Sequence, residues 1–202
     1  VKYTAESVTK KMIAKNSYTN KNWGMEIKTN NRLNPSDGEG IRFGVVVTLK
    51  EMNGINRIDE FIKSCDCCRI GFYDKENDEV YIVPLNFGYS NIENKRVFYF
   101  HGAKQGRKID LISKTKKVSF EMDSNHELIV GKMACNYSER YQCVMGTGLI
   151  SFVEDKEEKA MALNEIMFQN MGKKDWDFPE PMLSGVAVFK IEVTNLSCKE
   201  HL

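Results

Sequence analysis

The spacing of apolar and polar positions changes along the chain. Ile58, Phe61 and Ile62 fall at i, i+3 and i+4 and predict a short amphipathic helix ending near Cys65. Beyond it, apolar residues come in short runs rich in β-branched and aromatic side chains. These runs predict strands over Arg69–Tyr73 and Glu79–Leu85 around the turn Asp74–Asp78, and over Val97–His101 after an Asn-rich turn. Strands over Lys117–Met122 and Glu127–Met133 are expected to flank a turn at Asp123–Asn125. Arg140–Phe152 reads as a long strand carrying Gly146 and Gly148, and Gly185–Leu196 as a last strand with Val186, Val188, Ile191 and Val193 in the core. Two helices interrupt this order. One is Gly106–Ser113. The other covers about 156–171, with Asp155 and Glu158 as a capping-box-like start and Gly172 just past its end. Leu163, Ile166, Met167 and Met171 form its apolar stripe, with Met161, Met167 and Met171 read as core. Many short strands with few helices predict a mainly β protein, a closed antiparallel barrel.

The first quarter does not share this pattern. Residues 1–22 are polar and weakly periodic, residues 29–40 read as loop, and Gly44–Leu49 could form one strand. The expected organisation is an N-terminal extension over 1–56 and a barrel domain over 57–202. Charge adds one detail. The formal net charge is +1, which gives no general field for nucleic acid or an anionic membrane. Residues 1–56 nevertheless hold nine Lys/Arg against five Asp/Glu. No apolar run is long enough for a membrane helix, and the opening residues show no signal-peptide core. The six cysteines are too sparse for a disulfide scaffold. Reduced thiols in a cytoplasmic protein are the expectation. The cluster Cys65-Asp-Cys-Cys68 lacks the paired C-x₂-C spacing of a zinc site, so no metal is predicted.

The candidate chemistry lies in Tyr99–Ile112, where an apolar run ends at His101 and a small glycine-containing turn leads into a helix. A helix N-terminus offers unpaired N–H groups and positive potential. Gly102 and Gly106 allow close approach of backbone to a ligand, and Ala103 between them is a further cofactor-binding candidate. Arg107 and Lys108, disfavoured at a helix start unless an anion compensates them, complete a phosphate cradle. Neither a Walker loop nor a dinucleotide fingerprint is present. Pro84 must mark an edge, bulge or strand end, which frees backbone groups around Leu85 and Asn86 to meet a planar ring. Arg69, at the start of the preceding strand, is a candidate for a ligand or an ion pair.

Cys68-Arg-Ile-Gly, Tyr81–Tyr89, Tyr99-Phe-His-Gly-Ala, Gly106–Leu111 and Ala134–Gly148 together resemble the split-barrel flavoproteins related to pyridoxamine-phosphate oxidase. Within that superfamily the chain looks most like the nitroimidazole-resistance (Nim) family, over roughly residues 57–197. The resemblance implies an antiparallel split β-barrel of the FMN-binding type, a homodimer with sites at its interface, and an FMN-dependent oxidoreductase acting on a small planar electron acceptor such as a nitroaromatic. It places the FMN phosphate on Arg107 and Lys108, and Pro84, Leu85 and Asn86 along the isoalloxazine. It also places His101 at the flavin, with a role in substrate handling. Tyr141–Gly148, including Cys143, either approaches the cofactor from the other subunit or is barrel strand with a glycine bend. A haem-binding or haem-degrading split-barrel protein and a non-enzymatic flavin electron carrier are the alternative functions.

Overall fold

The computed structural model describes residues 50–51 and 55–201. Residues 1–49 of the predicted extension, with the strand at Gly44–Leu49, lie outside the described residues. In chain order the elements are β1 (Lys50–Glu51), α1 (Ile55–Ser64), β2 (Cys68–Asp74), β3 (Glu79–Leu85), β4 (Gly88–Ile92), β5 (Lys95–Gly102), α2 (Arg107–Lys114), β6 (Lys117–Ile129), β7 (Ser138–Phe152), α3 (Lys156–Met171), α4 (Glu180–Gly185) and β8 (Ala187–His201). The strands form one antiparallel sheet in the order β3-β2-β6-β7-β8-β5-β4, with β1 paired to β8. The path begins at β3 and ends at β4, so the barrel is split rather than closed through every strand.

Strand alternation sends one face inward. Cys68, Ile70, Phe72 and Asp74 of β2 are buried, while Arg69 and Tyr73 point out. Phe98 lies at the centre of the core, with its ring 5.6 Å from that of Phe87 and 5.1 Å from that of Phe120, both edge-on. Pro84 does not interrupt β3. It sits opposite Arg69 in a strand that pairs only with β2, and an outermost strand tolerates the missing N–H.

Asp155 caps α3 by accepting the Glu158 N–H at 2.8 Å, and Gly172 ends it with φ 67°. Ala162, Leu163 and Ile166 are its buried residues. Met161 and Met171, expected in the core, are exposed, because this helix buries only a narrow stripe.

Three elements differ from the sequence reading. Asp123–Asn125 is not a turn. β6 runs on to Ile129 against β7, and the register shift between Ser124 and Glu127 is absorbed by a bulge with Asn125 at φ 60°. β4 was not predicted. Gly185 ends a short helix, α4, which follows Pro179, so the last strand begins at Ala187 and extends to His201.

A polar network joins α1 to the sheet. Asp59 accepts bonds from Tyr89 Oη (2.7 Å), Asn91 Nδ2 (2.7 Å) and Arg96 Nε (2.8 Å). Burial raises the Asp59 pKa, but these bonds and the Arg96 charge outweigh it and hold the pKa below the usual carboxylate value. A folded-state pKa below the unfolded one stabilises the protein above the unfolded carboxylate pKa. That contribution disappears as pH falls below about 4. Asp59→Asn is therefore expected to cost about 3 kcal/mol at pH 7, the low end for breaking a buried pair. In urea unfolding at pH 7 and pH 3, the gap between variant and wild type should narrow at the lower pH. An equal gap at both would contradict the assignment.

Candidate functional site

β5 ends at His101 and Gly102, and Ala103, Lys104 and Gln105 carry the chain to α2. Gly106 is the N-cap at φ 115°, a conformation that side chains avoid, and no side chain caps the helix. Its first N–H groups and the positive end of its dipole therefore face the turn. Lys108 folds back over Gly102. A Cβ on Gly102 would lie 2.9 Å from Lys108 Cε and 3.0 Å from Nζ, so the glycine leaves the space that the lysine occupies.

His101 pairs with Val188 of β8 and its residue is exposed. Partial burial of the ring, followed by the nearby positive charge of Lys108, holds its pKa below the ordinary imidazole value. At neutral pH the ring is uncharged, with one donor and one acceptor nitrogen.

Arg107 turns toward the β2–β3 hairpin. Its Nη2 donates to Asp74 Oδ2 at 3.1 Å and to Glu79 Oε1, and its guanidinium lies over the Tyr81 ring, 4.7 Å from the centroid. Asp74 is buried, and it also accepts the Glu76 and Asn77 N–H groups and Asn77 Nδ2. The bond from Asn77 does most to lower its pKa, with Arg107 contributing further. The sequence reading did not name Asp74, Glu79 or Tyr81 as site residues. The only local signal for them is the acidic density of the 74–79 turn.

The structure thus brings together His101, Gly102, Ala103, Gly106, Arg107 and Lys108. Arg69 and Cys143 lie elsewhere on the sheet. Pro84, Leu85 and Asn86 are at the end of β3 remote from Glu79, about 17–23 Å along the strand, and two residues past Asn86 the chain enters β4, where Gly88 pairs with Tyr99 of β5, two residues before His101. Leu85 packs against the core. Asn86 Nδ2 donates to Asp66 O at 3.1 Å and to Asn170 Oδ1 at 3.0 Å, tying the end of β3 to α3. Arg69 pairs with Glu121 at 3.1 Å and Asp123 at 2.5 Å on the outer face, an ion-pair role. Cys143 lies opposite Asp123 and Lys199. Lys199 is eleven residues along β8 from Val188, the partner of His101, or about 36 Å of strand. Within one chain Cys143 therefore does not meet the His101 turn. Gly146 and Gly148 serve packing, since a Cβ on Gly148 would lie 2.7 Å from Glu192 O. Among the described residues no cluster of three or more His, Cys, Asp or Glu is arranged to hold a metal ion, and no helix is long and apolar enough to cross a membrane.

This fold is that of a known class. The family model described as pyridoxamine 5′-phosphate oxidase matches residues 55–200, and the chain belongs to that family. Among solved structures, it is similar to a proposed 5-nitroimidazole antibiotic resistance protein of Bacteroides thetaiotaomicron, with 31% identity and a TM-score of 0.65, covering 75% of this chain and 86% of that one. It also shares its fold with the FAD- and haem-binding protein of Mycobacterium smegmatis (12% identity, TM-score 0.64, covering 75% and 73%). A third likeness is the flavocytochrome Anf3 of Azotobacter vinelandii (15% identity, TM-score 0.60, covering 75% and 69%). No curated protein matches the chain.

Proposed function

We propose that the chain is an FMN-dependent oxidoreductase that reduces a small planar acceptor of the nitroaromatic type. The observation that carries this reading is the β5–α2 turn, where uncapped helix N–H groups, Gly102, Gly106 and the Lys108 ammonium converge beside a neutral imidazole. The donor set fits a single phosphate. It is compact and cationic, and the sequence has no dinucleotide fingerprint to favour FAD. It fits the spread carboxylates of haem less well. Family membership and the nitroimidazole-resistance neighbour support the flavin and the acceptor class.

When bound, reduced FMN supplies the electrons. The chain's own part is to fix the phosphate at the head of α2 and to offer a hydrogen bond or a proton from His101 at the acceptor. A His101 that is neutral at pH 7 can donate a hydrogen bond from its N–H, and it becomes a stronger acid only when protonated.

A split barrel offers a planar ring one wall, and a second copy would supply the other. The outer face of β2 and β3 supports a homodimer. Tyr73 and Val80 are cross-strand partners, 56% and 67% exposed, and Ile82 continues the stripe at 62%. A contiguous apolar stripe on an outermost strand is unusual for a monomer. Cys143 would then meet a cofactor only across the interface.

The test is rapid mixing of the dithionite-reduced, FMN-loaded protein with a nitroaromatic, with the mass in solution measured in parallel. The expected result is acceptor-dependent reoxidation in a particle of two chains. A reduced protein that is indifferent to the acceptor would leave a flavin carrier. A monomer with tightly bound FMN would remove the interface site.

A further inference from the structure

We propose that His126 is a proton-operated clasp at the root of the β6–β7 ribbon: protonated, its ring ties the two strands together through Glu139, and neutral, it releases that tie and lets the ribbon open. The inference does not depend on the flavin reading.

The ribbon is the part of the sheet with the least support. Glu127–Ile129 of β6 and Ser138–Arg140 of β7 pair only with each other, because β2 meets β6 at Ser119–Glu121 and β8 ends opposite Tyr141. Two strands alone are marginally stable in water. Leu128, Val130, Met133 and Tyr137 are exposed along the ribbon and at its tip, so apolar burial adds little. The bulge between Ser124 and Glu127 marks its root. Side chains at that root therefore govern how firmly the ribbon is held.

Two of the chain's three histidines converge there on Glu139. His201 Nδ1 donates to Glu139 O at 2.6 Å, which holds the backbone of β7. His126 meets two carboxylates, one through each ring nitrogen. Its Nε2 is 2.6 Å from Asp123 Oδ2, and its Nδ1 is 3.3 Å from Glu139 Oε1. The ring stacks on Tyr141, with centroids 6.5 Å apart. An ionised carboxylate only accepts, so both contacts are hydrogen bonds only when both nitrogens carry a proton.

The charged groups around the ring come from three strands. β6 supplies Asp123, with Glu121 beside it, and β7 supplies Glu139. Arg69 of β2 bonds both Glu121 and Asp123. Glu127 and Arg140 pair with each other at 2.8 Å, and β8 contributes His201. One Arg69 against three carboxylates leaves negative potential at the ring. The bond to Asp123, then that to Glu139, holds the His126 pKa above the ordinary imidazole value.

The two contacts respond differently to loss of the proton. Asp123 is anchored by Arg69 at 2.5 Å and bonds the ring at short range, so the neutral ring keeps its proton on Nε2. Nδ1 then turns a lone pair toward Glu139 Oε1, and among the described residues nothing else bonds that carboxylate. The contact within β6 survives, and the contact between the strands is lost. A folded-state pKa above the unfolded one makes the tie complete below about 6.5. The tie disappears as pH rises through the folded midpoint.

The experiment uses the full chain. His126 is titrated by NMR. Amide hydrogen exchange at 127–129 and 138–140 is followed from about pH 5 to well above the His126 midpoint, corrected for the intrinsic pH dependence of exchange. Protection in the ribbon is expected to fall about two- to fivefold through that midpoint, the size of an exposed ion pair. Amides of β7 that pair with β8 should show no such step. Glu139→Gln keeps the shape and removes the charge, so it should lower the His126 midpoint and abolish the step. His126→Gln should give weak ribbon protection at every pH. Arg140→Gln breaks only the pair with Glu127; it should weaken protection evenly and keep the step. A wild-type ribbon indifferent to pH, or a His126 midpoint at or below the ordinary value, would overturn the clasp. So would a step that survives in Glu139→Gln or His126→Gln, or one that is lost from Arg140→Gln.

Discussion

Gly88→Ala is expected to destabilise the fold by about 3 kcal/mol or more, the upper end for overpacking. The new Cβ would overlap Ile166 N and lie 2.5 Å from Glu165 C and 2.9 Å from Glu165 Cβ. These are mostly backbone atoms of α3, which cannot rotate away as a side-chain tip can. Either α3 moves off β4 or β4 leaves its pairing with β5. Asn170 would move with the helix, and its bonds to Phe87 O at 3.4 Å and to Asn86 would break. The matched control is Gly71→Ala, whose Cβ would meet only Ser119 O at 3.9 Å. Its expected effect is within about 0.5 kcal/mol. Urea midpoints of the two variants check the claim. Equal midpoints would mean that the α3–β4 approach is not a tight one.

The second large effect concerns chemistry. His101→Gln is expected to retain FMN and the dimer but lose about 10²–10⁴ in the rate of acceptor reduction, the range for a positioned acid–base group. Glutamine keeps a hydrogen-bond donor of similar reach but cannot deliver a proton at physiological pH. The measurement is single-turnover reoxidation of prereduced protein. A wild-type rate would make His101 structural, and loss of FMN would place it in the cofactor shell. The pH profile gives a second check. Burial and Lys108 hold the His101 pKa below the ordinary imidazole value. If the protonated ring is the donor, the rate should rise as pH falls through a value under about 6.5.

The sequence made some parts of this molecule legible and hid others, for physical reasons. The ends of α3 were readable because Asp155 and Gly172 act within one turn of the helix they terminate. β2, β3 and most of β7 were readable because half-buried strands alternate over several residues. β4 was not, since Gly88, Ser90 and Asn91 dilute a five-residue strand that neighbouring β5 and α3 hold in place. The Asp123–Asn125 segment has turn composition, yet continuous pairing with β7 makes it a bulge. Met161 and Met171 fit the apolar spacing of α3 but lie on the side away from the sheet. At the site, the contiguous run from His101 to Lys108 could be read directly, because a turn and a helix start are local. The occupation of Arg107 could not, because Asp74 and Glu79 reach it through tertiary structure. Pro84, Leu85 and Asn86 entered through the proline in a strand together with family likeness, and Cys143 through family likeness alone. Cys143 is separated from the His101 turn by eleven residues of β8, so no local signal joined it.

The central claim is that the head of α2, with Gly102 and Lys108, holds the phosphate of a flavin mononucleotide. Its most direct measurement is titration of the flavin-stripped chain with FMN, followed by the absorption spectrum and the mass of the group released on denaturation. The account predicts saturation at one FMN per chain, a flavin spectrum, and release of the mononucleotide. A haem Soret band in the purified protein, release of FAD, or no saturable FMN binding would contradict it.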